Sequence, residues 1–226
     1  MKPACRIDHL VVAARTLDQG VQWCEATLGV TPRAGGEHPL MGTHNRLLLI
    51  ATAQYPRAYL EIIAINPAAP APGRRRWFDL DDPALQHAVQ QQPRLVHFVA
   101  STGDAGAGLR ALRRLGIERG PLVQAERATP EGMLRWQISV RRDGQRLFYG
   151  GLPTLIQWGD AHPADAMPDA GLALQSLHVC HPRLPDLQAA HSAIGLQGVG
   201  ADQGAPNLVA TLATPKGAVV LESAGT

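Results

Sequence analysis

The sequence predicts an α+β fold that repeats a unit of one strand, one helix and two or three further strands. Two observations indicate the repeat. An apolar run with a central histidine occurs at His9, His97 and His178, and a helical stretch follows each run. Each helical stretch stops at a glycine about 20 residues after the histidine, and successive copies start about 80 to 90 residues apart.

The first copy begins with the apolar run from Ile7 to Ala13, which is typical of a buried strand. A helix is predicted from Leu17 to Leu28, because apolar residues recur there at steps of three and four, and Gly29 ends it. Strands are predicted from Asn45 to Ala51 and from Tyr59 to Ile65.

The later copies keep the same order of elements. The second has a strand from Leu95 to Ala100, a helix from about Ala105 to Leu115, and strands from Leu134 to Val140 and Pro153 to Trp158. The third is shortened, with a strand from Leu177 to Cys180, a helix from Pro185 to Ile194, and strands from Leu208 to Leu212 and Ala218 to Glu222.

Proline-rich and alanine-rich segments separate the copies. Pro67 to Gly73 reads as an extended linker, and a connector helix is predicted within Trp77 to Gln92, starting near Asp82-Pro83. The predicted divisions are a first module (1–66), a linker and connector helix (67–93), a second module (94–160), and a loop with the shortened third module (161–226).

Composition excludes several classes of protein. The chain has 226 residues, of which 45% are hydrophobic and 18% charged, and no apolar run approaches the roughly 18 residues of a membrane span. A net charge of +2 gives no reason to expect a nucleic-acid partner. Three unclustered cysteines and a charged start without a secretory segment favour a cytoplasmic protein with free thiols.

Polar residues recur inside the predicted strands. Besides the three histidines, the last strand of each copy carries one polar side chain, at Glu61, Gln157 and Glu222. A single buried histidine is usually just a hydrogen-bonded core residue, but the recurrence favours a site. Imidazole nitrogens together with carboxylate or amide oxygens suit Zn, Fe, Ni or Mn better than Mg or Ca.

Several motifs together resemble the glyoxalase-like domain proteins of the vicinal oxygen chelate superfamily, over about residues 7 to 165. In the first copy these are Ile7-Asp8-His9-Leu10-Val11-Val12, Gly35-Gly36-Glu37-His38-Pro39, Gly42-Thr43-His44-Asn45 and Tyr59-Leu60-Glu61. In the second they are Arg127 followed by Pro130-Glu131-Gly132, Leu134-Arg135-Trp136, and Ile156-Gln157-Trp158-Gly159. The string of glycines, histidines and Asn45 between residues 35 and 45 is the most specific part.

The resemblance implies βαβββ modules paired into a cup-shaped mixed sheet, with metal ligands from the first and last strand of each module. Carried over to this sequence, the implied ligands are His9, Glu61, His97 and Gln157. The implied divalent metal is Zn, Ni, Mn or Fe, unless the cup has lost it. Gln157 departs from the His/Glu/His/Glu set of bacterial glyoxalase I, because an amide oxygen can ligate a metal but cannot act as a general base. A second arrangement pairs the first and third copies and offers His9, Glu61, His178 and Glu222.

A second group of residues is predicted to contact the substrate. Arg127 suits a clamp for a carboxylate or phosphate, and the alternative for it is a surface ion pair. The others are predicted to line the cup, with backbone capping or ordinary core packing as the alternatives: His38, His44, Asn45, Trp136 and Trp158.

The leading functional hypothesis is a metal-dependent lyase or isomerase acting on a small oxygenated carbonyl compound. The ion would chelate two vicinal oxygens and stabilise the enediolate, with Glu61 as ligand or base. The alternatives are a metal-free protein that binds or sequesters a small molecule, and a non-haem iron dioxygenase using His9, His97 and Glu61. If these three side chains lie around one point, metal chemistry is favoured. If they do not, a protein that only binds a small molecule is favoured. An unpaired third module would either close a homodimer or cap the sheet.

Overall fold

Two sheets organise the chain, which the computed structural model describes for residues 4–130 and 132–224. Glu131, part of the family-like motif in the second copy, lies outside the described residues. Within them, no helix is long and apolar enough to cross a membrane.

The first module supplies four strands and one helix. They are β1 (Cys5–Ala13), α1 (Leu17–Leu28), β2 (Arg33–His38), β3 (Thr43–Leu49) and β4 (Tyr59–Ile65). Thr16 caps the start of α1, and Gly29, with a φ of 79°, ends the helix as predicted. The sequence did not predict β2, because its residues show no apolar alternation and form an edge strand.

The second module repeats this arrangement after a connector. Its elements are α2 (Pro83–Gln91), β5 (Arg94–Thr102), α3 (Ala105–Arg113), β6 (Leu122–Thr129), β7 (Gly132–Ser139) and β8 (Thr154–Trp158). Asp82 caps α2 and Pro83 occupies its first turn, as predicted. α3 ends two residues before the predicted Leu115, and a turn carries the chain to Gly116.

The two modules share one curled sheet of strand order β2-β3-β4-β1-β5-β8-β7-β6. β1 and β5 are antiparallel neighbours at its centre, whereas the pairs β1–β4 and β5–β8 are parallel. Each module therefore contributes half of the sheet in mirrored order. This confirms the predicted fold class, an α+β protein whose modules pair into a cup-shaped mixed sheet.

The third copy forms a smaller unit outside the cup. It contains β9 (Ala173–Cys180), α4 (Leu184–Ala193), β10 (Leu196–Gln197), β11 (Gly200–Asp202), β12 (Asn207–Thr214) and β13 (Gly217–Glu222). β10 pairs with the start of β1, and the other strands form a sheet of order β11-β9-β12-β13. Its buried side chains share one apolar core with Leu10 and Phe98 of the large sheet. The third copy thus covers the cup from outside.

The connector fills much of the concave side. A second apolar core joins Trp77, Phe78 and the α2 residues Leu85 and Val89 to Val11 of the central strand. Trp77 and Phe78 stack with ring centroids 5.2 Å apart. The interior that stays open lies beside His9, between the connector and the end strands of the second module.

Gly120 gives a test of how the β6–β7 hairpin is anchored. It has a φ of 88°, and a Cβ there would overlap the backbone of Val140 at the end of the hairpin. Gly120→Ala should lower the free energy of unfolding by about 2 to 4 kcal/mol, measured by urea denaturation. Gly103→Ala is the control, because a Cβ at Gly103 meets open space, and it should leave stability unchanged or raise it by up to about 1 kcal/mol. Equal stability of the two variants would contradict the close approach at Gly120.

Candidate functional site

The open interior of the cup is a cavity of about 40 Å³, lined by side chains of both modules. A volume of this size holds a few water molecules. The acid–base and hydrogen-bonding groups in its wall are His9, His38, Asn45, Tyr59, Glu61 and Arg127. Their bonding partners show which of these groups are free to act on a ligand.

A β-bulge in β1 brings Asp8 and His9 together. In the pairing of β1 with β5, Ile7 opposes Ala100 and His9 opposes Val99, so Asp8 is the extra residue. Neighbouring residues of a regular strand point to opposite faces, but the bulge allows the Asp8 Oδ1 atom to lie 2.7 Å from His9 Nδ1. Asp8 thereby fixes the orientation of the imidazole ring.

Asp8 is a fully buried carboxylate with three hydrogen-bond donors. Besides His9, Trp158 Nε1 donates to its Oδ2 atom at 2.9 Å, and His162 Nε2 lies 3.1 Å from the same oxygen. His162 Nδ1 accepts the Ala164 N–H, so the proton of this ring is on Nε2 and is donated to Asp8. Burial alone would raise the pKa of Asp8, but the hydrogen bonds from His162 and His9 hold the pKa well below its usual range. Asp8 is therefore ionised.

His9 presents its second nitrogen to Glu61. With Nδ1 donating to Asp8, Nε2 carries the lone pair, and it lies 3.6 Å from Glu61 Oε2. Tyr59 stacks on the imidazole, with ring centroids 4.5 Å apart. Burial and the charges of Asp8 and Glu61 hold the pKa of Tyr59 well above its usual value, so its hydroxyl stays neutral.

Asn45 holds the other oxygen of Glu61. Its Nδ2 donates to Glu61 Oε1 at 2.6 Å, and its Oδ1 accepts the Gly36 N–H at 2.8 Å. The backbone donor at Gly36 fixes which end of the amide faces Glu61. Gly35 and Gly36 form an irregularity in the β2–β3 pairing, and a Cβ at Gly35 would overlap the Asn45 side chain. Glu61 Oε2 is thus the carboxylate oxygen that stays free.

His38 is a neutral neighbour of this pair. Its Nε2 lies 3.4 Å from Asn45 Nδ2, which is a donor, so Nε2 is the acceptor and Nδ1 carries the proton toward Thr43 Oγ1 at 3.1 Å. Burial lowers the pKa of His38 to about 4, against the opposing charge of Glu61 and with help from the charge of Arg127. His38 therefore orients Asn45 and does not supply a proton at neutral pH.

Arg127 closes the cup from the second module. Its side chain lies across Gly36, where a Cβ would overlap the guanidinium group. Among the described residues it has no hydrogen bond or ion pair, although it lines the cavity. Trp136 and Trp158 stand beside it in the wall, with ring centroids 5.5 Å apart. The cavity therefore contains a cation without a bonded partner.

His97, predicted as a ligand, is engaged elsewhere. Its Nδ1 donates to the Gly150 carbonyl at 3.1 Å, and its Nε2 accepts the Thr154 N–H at 3.1 Å and a bond from Arg119 at 3.2 Å. Burial and the nearby charges of Arg119 and Arg146 hold the pKa of His97 well below its usual value. The neutral ring has no free lone pair to offer a metal.

Other predicted residues also lie away from His9 and Glu61. Gln157 accepts the Ala105 N–H at 3.0 Å and caps α3 on the outside of the sheet. His44 pairs with Glu37 on the edge strands and does not line the cavity. His178 and Glu222 are exposed on the outer sheet, where His178 lies 3.5 Å from Asp202. The structure brings neither four-ligand set together.

These positions decide how well the site fits a metal. Across residues 4–130 and 132–224, no group of three or more His, Cys, Asp or Glu side chains is placed to hold an ion. His9 and Glu61 are two adjacent metal-ligand donors. The other two predicted ligands are already hydrogen-bonded: His97 to Gly150 and Thr154, and Gln157 to Ala105. The implied metal therefore does not fit the donor set found here, and neither does the iron site of a dioxygenase.

Sequence reasoning missed Asp8, Tyr59, His162, Trp77 and Phe78. Asp8 had a local signal, because a carboxylate within an apolar strand needs a partner when it is buried. Tyr59 also had one, since it stands two residues before Glu61 and so shares its strand face. His162 belongs to a His162-Pro163 motif of the family resemblance, but no local pattern links it to Asp8, which lies 154 positions away.

The depressed pKa of His38 makes stability depend on pH. The folded protein holds His38 neutral down to about pH 4, whereas the unfolded chain protonates it near 6.5, so the unfolded state binds more protons between these values. This contribution is present above pH 6.5 and is lost as the pH falls toward 4, for a total of about 3 kcal/mol. Urea unfolding of wild type and His38→Gln should give curves of stability against pH that converge as the pH falls. Parallel curves would contradict the neutral state of His38.

Comparisons with known proteins agree with this architecture. A family model described as a glyoxalase-like domain matches residues 7–195. No curated protein matches the sequence. A hypothetical protein from Staphylococcus aureus has a similar structure, with a TM-score of 0.58 and 15% identity, covering 96% of this chain and 85% of that one.

Two structures of methylmalonyl-CoA epimerase show weaker similarity. The enzyme from Streptomyces coelicolor, in complex with 2-nitronate-propionyl-CoA, has a TM-score of 0.43 and 19% identity, covering 70% of this chain and 96% of that one. The enzyme from Mycobacterium tuberculosis has a TM-score of 0.39 and 16% identity, covering 71% and 91%. With most of its length matched by the family model, the chain belongs to the glyoxalase-like domain family.

Proposed function

We propose that this protein is an isomerase or lyase that moves a proton next to the carbonyl group of a small oxygenated compound. One observation carries the proposal. Among the described residues, two acid–base atoms have no hydrogen-bond partner: His9 Nε2 and Glu61 Oε2, which face each other at 3.6 Å in the wall of the small cavity. Such a pair suits proton abstraction and return, and both groups are held in place from behind.

Glu61 is the proposed general base. Asn45 binds its Oε1 atom and so directs Oε2 toward the cavity, and Asn45 is itself fixed by the Gly36 N–H. The base takes a proton from a carbon next to the substrate carbonyl, and the electron pair of that C–H bond moves onto the carbonyl oxygen. The immediate product is an enolate or enediolate, which the site must stabilise.

His9 is the proposed proton relay. Its lone pair on Nε2 can receive the proton from Glu61 and deliver it to another atom of the intermediate. The imidazolium formed in this step lies between two carboxylates, Asp8 and Glu61. Asp8 is ionised throughout, because three donors hold its charge.

Arg127 is proposed to bind the negatively charged oxygens of the substrate and of its intermediate. It is the cation in the cavity wall without a partner among the described residues, and a guanidinium can donate two parallel hydrogen bonds to an oxyanion or carboxylate. In a site that excludes water, such donors typically contribute a factor of about 100 to 1,000 to the rate. No step is assigned to a metal, since the donor set does not assemble one. The experiment below also tests the predicted metal dependence, with a chelator and added metal ions.

Hydrogen exchange tests the proposal directly. Purified protein is incubated in D₂O with a panel of small 2-hydroxy and 2-oxo carbonyl compounds, and exchange next to the carbonyl is followed by NMR. We expect at least one compound to exchange, and Glu61→Gln and His9→Gln should each slow that exchange by about 100-fold or more. Glu25→Gln on exposed α1 is the matched control and should exchange at the wild-type rate.

Three results would contradict the assignment in different ways. If Glu61→Gln exchanges at the wild-type rate, Glu61 is not the general base. Exchange that is lost with a chelator and regained with Zn, Ni, Mn or Fe would show that the predicted metal dependence holds. Tight binding of panel compounds without any exchange would favour the alternative function, a metal-free binding protein.

A further inference from the structure

A side chamber adjoins the proposed active site. It has a volume of about 280 Å³, near the lower end of ligand pockets, and it shares His38, Trp77, Trp136 and Ile138 with the small cavity. Its apolar wall is completed by Leu40, Met41 and Val123. Leu40 is 47% exposed, although most large apolar side chains of this protein are buried. The chamber therefore offers apolar surface directly beside the acid–base pair.

The boundary between chamber and cavity contains an unsatisfied donor. The indole N–H of Trp77 is buried and has no hydrogen-bond partner, while the whole residue is 8% exposed. Buried donors without an acceptor are rare, because an unpaired polar group away from water costs roughly 1 to 3 kcal/mol. Trp77 lines both spaces, but its N–H has no exposed surface, so an acceptor in the cup reaches it only when the ring moves.

Arg127 is a second donor that awaits an acceptor. The described part of the chain offers it neither a carboxylate nor a carbonyl partner, and its charge instead lowers the pKa of nearby His38. The carboxylates already in the cup do not bond to it. Asp8 is bonded to His9, Trp158 and His162. Glu61 has one oxygen held by Asn45 and the other facing His9. A carboxylate brought by a ligand would satisfy Arg127 directly, and Trp77 once its ring has moved.

Acidic residues at the rim of the chamber limit the charge that the tail of a ligand can carry. Glu37 and Glu126 stand among the lining residues, and Glu126 has an exposed ion pair with Arg135 at 3.1 Å. An acidic rim disfavours a tail that carries phosphates or further carboxylates. At about 280 Å³, near the lower end of ligand pockets, the chamber accepts only a small tail.

We infer that the natural substrate is a monocarboxylate with an uncharged apolar tail, whose carboxylate is bound by Arg127 and Trp77 and whose tail occupies the chamber. The inference names the substrate class of the proposed active site and in that sense rests on the proposed function. Binding can nevertheless be measured without turnover, which allows the two ideas to be tested separately.

Calorimetric titration with 3-phenylpropanoate is the test of the carboxylate site. Wild type should bind it, and Arg127→Gln should weaken binding by at least 10-fold. Trp77→Phe keeps the aromatic wall but removes the N–H, and it should weaken binding by about 10-fold. Arg113→Gln, which removes one positive charge from exposed α3, is the matched control and should bind as wild type does. Equal binding by Arg127→Gln and wild type would overturn the inference.

Three further ligands test the tail and the charge. The neutral 3-phenylpropanamide and the tail-free acetate should each bind at least 10-fold more weakly than 3-phenylpropanoate. The coenzyme A thioester of 3-phenylpropanoate carries phosphates and lacks the free carboxylate, so it should also bind at least 10-fold more weakly. Equal affinity of the amide, of acetate or of the thioester would overturn the inference.

The same measurements separate the two proposals. Binding of 3-phenylpropanoate to both wild type and Glu61→Gln supports the inference whatever the exchange experiment gives. Exchange of carbonyl compounds without a carboxylate at the same rate as their carboxylate counterparts would overturn the inference and leave the proposed function intact.

Discussion

The buried carboxylate of Asp8 is the group on which the site depends. It lies in the bulge of β1 and accepts hydrogen bonds from its neighbour His9, from Trp158 at the end of β8, and from His162 in the following loop. These bonds join the first strand of one module to the last strand of the other. A buried charge of this kind is stable only while its donors are present, and loss of one typically costs several kcal/mol. The orientation of His9 and the closure of the cup therefore depend on the same interaction.

A second constraint acts from the opposite edge of the cup. Gly35 and Gly36 lack side chains where Asn45 and Arg127 cross the edge strand β2. The backbone N–H of Gly36 orients Asn45, and Asn45 in turn orients Glu61, so the base is positioned through two hydrogen bonds that start at the backbone. The glycine pair that marked the family in the sequence thus has a physical role. It lets side chains of both modules approach one strand closely.

The sequence was sufficient for the repeat and for most helices and central strands. It also singled out His9 and Glu61, which lie 3.6 Å apart in the structure. Successive side chains of a strand point to opposite faces, and this rule could have excluded two of the predicted site residues. If Trp158 faces the cup, its neighbour Gln157 faces outward, and if Asn45 faces the cup, His44 cannot. The remainder depended on contacts between distant segments. The bulge that brings Asp8 to His9 breaks this alternation, and His97 is occupied by Thr154, Gly150 and Arg119. No local pattern encodes either arrangement.

The two modules have the same fold but supply different chemistry. The first provides Asp8, His9, Asn45 and Glu61, which form one connected acid–base network. In the second, the residues equivalent to His9 and Glu61 are His97, which bonds the backbone near β8, and Gln157, which caps a helix. That module contributes instead the cation Arg127 and the aromatic walls Trp136 and Trp158. Under the proposed function, the first half of the repeated sheet moves protons and the second half binds the ligand. A metal-ligand set symmetric between the modules is not found among the described residues.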